Sequence, residues 1–258
     1  MKINLEYIEF WATRHCNLNC KGCSSCSPLM PEWFLNLSKL KNDLTRLKTL
    51  DINILNINVL GGEPLLHPDI SKIFYLVKEI YPETNLGLLT NGLLLSSMIS
   101  EFWRSCRECD VMLKVTCFPV MPSEKRLELE KIFRQNNLRY HLTDKKLFNK
   151  IFVLNNNAAF EDIVKNCGCN KACNLFDGFV SRCTVPMVVR DLNAHFNVGF
   201  ITAGRLNIYS VKTGREIIDF LEKPNESCLN CSVRTEKVAW EIAEPCPALD
   251  DWLVGNGD

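Results

Sequence analysis

The residues of this sequence best suited to chemistry are its cysteines. Cys16, Cys20 and Cys23 are spaced C-x3-C-x2-C within "RHCNLNCKGCSSC", and Cys26 closes the same stretch. Three thiolates from one loop can hold three irons of a cubane cluster and leave the fourth iron open, whereas a fourth thiolate would close it, as in an electron carrier. Structural zinc competes for the same residues, although it usually takes four ligands, often from paired C-x2-C knuckles. A second group lies downstream: Cys167, Cys169, Cys173 and Cys183, then Cys228 and Cys231 as a C-x2-C pair, with Cys246 alone.

The composition narrows the setting. The chain has 258 residues, 47% hydrophobic and 23% charged, which suits one large domain or a main domain with a smaller appendage. Formal net charge is zero and no long basic run occurs, which argues against nucleic acid as the main partner. The start of the chain lacks the uninterrupted apolar core of a signal peptide, and no segment approaches the length of a membrane span. The expected compartment is the cytoplasm. There, fourteen clustered cysteines point to metal or redox chemistry, not to disulfides.

Positioning these thiols requires a scaffold. From residue 3 to about 155, strand-like runs alternate with amphipathic helix-like ones. "INLEYIEFWA", "INILNINVL", "NLGLLTNG", "VMLKVTCF" and "IFVLN" read as strands; "WFLNLSKLKNDLTRLKTL", "PDISKIFYLVKEIY", "LLSSMISEFWRSC" and "SEKRLELEKIFRQNN" read as helices. Such units predict an α/β fold with a parallel sheet, curled into a partial barrel of five or six strands. Active residues then sit beyond the carboxyl ends of the strands. The cysteine loop, "GGEP", "TNG" and "TCF" all fall there. The expected division is a barrel over residues 1–165 and a small cysteine-rich region over 166–258. In the latter, "NLFDGFVSRC" reads as a hairpin turning at Asp177-Gly178, and "GREIIDFLEKP" as a helix.

The C-x3-C-x2-C loop after a first strand, followed by "GGEP" after the second, resembles the radical S-adenosylmethionine (SAM) superfamily over residues 5 to about 155. The resemblance implies that Cys16, Cys20 and Cys23 hold a [4Fe–4S] cluster whose open iron chelates the amino and carboxylate groups of SAM. An electron from the cluster would break a carbon–sulfur bond, giving methionine and a 5′-deoxyadenosyl radical that removes a hydrogen atom from the substrate. It also implies that Gly61, Gly62, Glu63 and Pro64 contact the methionine end of SAM. Thr90, Asn91 and Thr116 are similar to polar ribose contacts of the family. The family's usual aromatic residue before the third cysteine is Gly22 here, so adenine packing must come from elsewhere. Cys26 reads as a loop thiol outside the metal set.

Cys167-x10-Gly178-x4-Cys183 followed by a C-x2-C pair resembles the SPASM or twitch extension of the same superfamily. The further cysteine pair of the longer SPASM pattern is missing, which implies one auxiliary [4Fe–4S] cluster. Cys183, Cys228 and Cys231 are its firmest ligands, Cys173 is the expected fourth, and Cys167 or Cys169 could replace it. Structural zinc is the competing occupant. Cys117, at the carboxyl end of a strand, is either packing or a hydrogen-atom donor. The expected reaction is oxidation of a small polar metabolite (a sugar, aminocyclitol or nucleotide sugar), with the auxiliary cluster as electron acceptor. A flavodoxin or ferredoxin would be the reducing partner. The alternatives are a peptide- or protein-modifying enzyme, crosslinking or epimerising with Cys117 as donor, and a non-enzymatic iron–sulfur or zinc protein.

Overall fold

In the computed structural model, which describes residues 2–168, 172–243 and 246–255, the first predicted strand is two, β1 (Ile3–Leu5) and β2 (Ile8–Thr13). Helix α1 (Leu37–Thr49) follows the cysteine loop. It starts where the Asn36 side chain accepts from the Lys39 backbone N–H at 3.0 Å, and it buries Leu40, Leu44 and Leu47 at helical spacing. Each buried leucine stabilises the fold by about 2 kcal/mol. Then come β3 (Ile52–Ile54), β4 (Asn56–Gly61), α2 (Ile70–Ile80), β5 (Asn85–Thr90), α3 (Ser100–Glu108), β6 (Met112–Cys117), α4 (Ser123–Gln135) and β7 (Tyr140–Asp144).

Beyond these lie β8 (Leu147–Phe152), α5 (Phe160–Lys165), β9 (Asn174–Phe176), β10 (Phe179–Ser181), α6 (Val185–Phe196), β11 (Leu206–Asn207), α7 (Gly214–Glu222) and β12 (Cys231–Ala239). The main sheet runs β11-β10-β9-β2-β4-β5-β6-β7, and its six strands from β9 to β7 are parallel. This is the predicted partial barrel. All six residues of β2 are buried, as befits a strand covered on both faces.

The structure departs from the sequence expectation beyond the split first strand: β7 was not among the expected strands, and "INILNINVL" is two strands, β3 and β4. The hairpin β9–β10, turning at Asp177-Gly178 as predicted, joins the barrel sheet through β9 beside β2. Of the predicted strand "IFVLN" only Ile151 and Phe152 are strand; they end β8, which leaves the main sheet and pairs antiparallel with β12. Helix α6 went unread because its apolar run, buried at Val185, Met187, Val188, Val189 and Leu192, follows closely on Cys183. Among the described residues, no helix is long and apolar enough to cross a membrane.

Candidate functional site

The cysteine loop leaves β2 at Thr13 and lies across the carboxyl ends of β4 and β5. Cys16, Cys20 and Cys23 line one cavity of about 290 Å³ together with Gly61, Gly62, Thr90, Asn91 and Thr116. Thus three thiols and five of the seven predicted SAM contacts share one wall. Burial pushes the Cys16 thiol up to about 12 and Cys20 up to about 11, so thiolates here call for a compensating positive charge such as iron. Cys26 does not line the cavity. It is fully buried in an apolar cluster with Trp11, Met30 and Trp252, and its backbone N–H donates to the Cys23 carbonyl at 2.9 Å. Three ligands from one open-walled cavity fit a cluster with a free iron. Among the described residues, no three His, Cys, Asp or Glu side chains converge on a point suited to a single metal ion.

The remaining two predicted contacts, Glu63 and Pro64, are buried and off the cavity wall. Both oxygens of Glu63 are engaged: Oε1 accepts from Thr90 Oγ1 at 2.6 Å and from the Leu65 N–H at 3.0 Å, and Oε2 from the Asn91 N–H at 2.8 Å. Glu63 therefore braces the ends of β4 and β5 against each other. The glycines have a similar logic, since a Cβ on Gly61 or Gly62 would collide with the carbonyl oxygens of Thr13 and His15. Their smallness lets the "GGEP" turn lie flat against the root of the cysteine loop.

Burial raises Glu63 from 4.5 to about 7, against the pull of its three donors. Folding thus favours its protonated form. The stability this supplies is complete below the unfolded value and is lost as pH rises through about 7. A Glu63→Gln variant should flatten the pH dependence of unfolding between these values, as measured by denaturant melts across the range. An unchanged slope would show that Glu63 does not titrate there.

Strand parity places Cys117. Leu113, Val115 and Cys117 alternate with Lys114 and Thr116 along β6. Thr116 faces the cavity, while Cys117 packs in the core on the other face and is absent from the cavity wall. That position matches the packing alternative of the sequence reading. Cys117→Ala should leave SAM cleavage unchanged and cost about 1 kcal/mol of stability, read from 5′-deoxyadenosine yield and from melts.

The sequence reading missed Glu9, Phe118, Lys145, Phe148 and Thr184, which also line this cavity. Glu9 was detectable as an acidic residue inside an otherwise apolar strand. Its carboxylate is raised by burial, and Tyr7 Oη donates to its Oε2 at 2.5 Å. Phe118 and Phe148 stand 5.6 Å apart, and Phe118 stacks on Trp240 at 5.7 Å.

These rings supply aromatic surface that Gly22 does not. Gly22 has φ of +62°, and a Cβ there would lie 2.7 Å from the Asp251 carbonyl oxygen. That position holds glycine because the tail of the chain crosses over it.

A second cavity, of about 140 Å³, is lined by Cys167, Cys183, Cys228 and Cys231. Cys167 follows α5, Cys183 follows β10, Cys228 lies in the 3₁₀ turn Glu226–Asn230, and Cys231 opens β12. Cys173, the expected fourth member, is elsewhere: it is buried in the barrel core and lines a different cavity with Tyr7 and Arg182. The hairpin register explains this. Ser181 pairs with Asn174, so one step on Arg182 lies opposite Cys173 and Cys183 opposite Ala172. Cys173 and Cys183 therefore point to opposite faces. Cys169 lies outside the described residues.

Residues 12–135 match the model of the Radical SAM superfamily. The chain is 31% identical over 101 residues to GTP 3',8-cyclase of Clostridium acetobutylicum, covering 38% of this chain and 31% of that protein. It is 34% identical over 100 residues to the enzyme of that name from Helicobacter pylori, covering 38% and 30%. The matches span about a third of the length of these relatives. Among solved structures, BtrN in complex with AdoMet and 2-DOIA superposes with a TM-score of 0.56 at 15% identity, covering 90% of this chain and 94% of that one. AdoMet-bound anSMEcpe gives 0.58 at 12% identity, covering 87% and 82%. The cysteine loop and the "GGEP" turn both lie within residues 12–135, the stretch that matches the radical SAM family model.

Proposed function

We propose that the chain is a radical SAM enzyme that oxidises an alcohol carbon of a small polar metabolite, with an auxiliary [4Fe–4S] cluster as electron acceptor. The observation carrying this is a second four-cysteine cavity in the same chain as the three-cysteine one. Cys167, Cys183, Cys228 and Cys231 would hold the auxiliary cluster; Cys16, Cys20 and Cys23 would hold the first. When bound, the first cluster and SAM supply a 5′-deoxyadenosyl radical that takes a hydrogen atom from the substrate carbon.

The chain's own residues set up that event. Asn91 donates from Nδ2 to Asn17 Oδ1 at 2.7 Å, tying the cysteine loop to the end of β5. Phe118 and Phe148 offer apolar faces for a base. Glu9, buried on the cavity wall, accepts the hydroxyl proton as the carbon becomes a carbonyl. In the overall balance a hydrogen atom would go to the radical, a proton to Glu9, and an electron to the cluster that Cys167, Cys183, Cys228 and Cys231 would hold. A flavodoxin- or ferredoxin-type protein would supply the initiating electron.

The test is anaerobic incubation of the reconstituted protein with SAM, dithionite and a panel of sugars, aminocyclitols and nucleotide sugars. GTP joins the panel because curated relatives carry the name GTP 3',8-cyclase. The expected result is 5′-deoxyadenosine that gains deuterium from a labelled substrate, with a product two hydrogens poorer. No deuterium transfer from any member of the panel would overturn the substrate class, and a product of unchanged oxidation level would overturn the reaction type.

A further inference from the structure

After β12 the chain turns back over the cysteine loop. The Lys21 N–H donates to the Glu241 carbonyl at 3.0 Å, Ala243 N–H to the Asn19 carbonyl at 2.7 Å, and Asn19 Nδ2 to the Ala243 carbonyl at 2.8 Å. Cys20 and Ile242 form an antiparallel bridge, and Trp252 Nε1 donates to the Cys23 carbonyl at 2.8 Å. Backbone pairing on this scale fixes the strap in register with the loop. At its head stands Trp240, half-buried, with its ring stacked on Phe118 and its Nε1 3.2 Å from Cys20 Sγ.

Trp240 is the nearest donor to any of the three loop sulfurs among the described residues. The Leu18 N–H reaches Cys16 Sγ at 3.4 Å and Asn91 Nδ2 reaches it at 3.8 Å. An indole nitrogen has one hydrogen and no acceptor role, so this contact works in one direction only. The Trp240 backbone N–H is separately held by the Lys146 carbonyl at 2.9 Å. The ring is therefore oriented from three sides: its own backbone, Phe118 and the strap.

We propose that Trp240 is a positioning residue for the first cluster, donating its indole N–H to the Cys20 thiolate and raising the cluster's reduction potential. This rests on the reading that Cys16, Cys20 and Cys23 hold that cluster. The physical reason is charge. Reduction adds one negative charge, part of it on the ligand sulfurs, and a fixed donor aimed at a sulfur stabilises the reduced form more than the oxidised one. The strap also joins the two sites in sequence. β12 begins at Cys231, on the wall of the second cavity, and ends one residue before Trp240.

The experiment is an EPR-monitored redox titration of the reconstituted holoenzyme, with and without SAM, comparing wild type with Trp240→Phe. Phenylalanine keeps an aromatic face for Phe118 and removes the N–H. The signal that changes on adding SAM identifies the first cluster. Its midpoint should become more negative in the variant while the other signal stays put; an unchanged midpoint, or equal shifts in both, overturns the proposal. Should the variant fail to take up iron, wild type carrying [indole-¹⁵N]tryptophan gives an independent answer. A ¹⁵N coupling on the SAM-responsive signal supports the contact, and its absence overturns it. No SAM-responsive signal in wild type would overturn the cluster reading itself, and this inference with it.

Discussion

Replacing Cys16, Cys20 and Cys23 together with alanine should abolish SAM cleavage while leaving about four irons on the chain, as one remaining cubane requires. The loss should be complete. Without the three thiolates no iron is held in the cavity formed with Gly61, Gly62 and Asn91, and among the described residues no other thiol lines that wall. Cys26→Ala is the control, because its thiol packs against Trp11, Met30 and Trp252 behind the loop. That variant should cleave SAM at the wild-type rate and lose about 1 kcal/mol of stability. Both readouts are simple: 5′-deoxyadenosine by chromatography, and iron by chemical analysis. Cleavage surviving the triple replacement would remove the central assignment. Loss of cleavage in Cys26→Ala would revive a four-thiolate cluster, closed to SAM.

Much of this was legible because the relevant signals are local. The alternation of strand and helix periodicity from residue 3 onward gave the barrel, and the glycine-rich and cysteine-rich turns sit beyond strand ends as the topology demands. What escaped depends on parity or on distant pairing. Cys117 differs from Thr116 by one residue, and one residue decides between cavity and core. The split of the first strand at Glu6 and Tyr7 has no strong local signal. Nor does the departure of β8 to pair with β12, some eighty residues later. Gly22 read as a departure from a motif; its cause, the carbonyl of Asp251 pressed against it, is 229 residues away in the chain.

Cys167→Ala should cost the protein its auxiliary iron, about four of an expected eight, whereas Cys173→Ala should keep all of it, as a four-cysteine cluster held without Cys173 requires. The reasoning is geometric. A cubane bound by four cysteines needs four sulfurs facing one space, and Cys167, Cys183, Cys228 and Cys231 face one cavity. Cys173 is carried away by its place in the sheet: its carbonyl accepts from the Glu9 N–H at 2.8 Å, which fixes it beside β2, and the register puts it on the face opposite Cys183. To reach the cavity it would have to break that pairing and slip by one residue, turning the inward side chains of β9 outward.

Cys173→Ala should instead behave as a core truncation, losing about 1–2 kcal/mol in melts with its iron intact. Cys169→Ala completes the set, and iron loss there with retention in Cys167→Ala would move the fourth ligand two residues along. Zinc in place of iron at wild-type stoichiometry would keep the ligands and refute the redox role, since zinc has no second oxidation state with which to take the substrate's electron. The oxidation proposed for this chain therefore depends on which metal these four thiols hold, and iron analysis of the wild type decides it before any substrate is known.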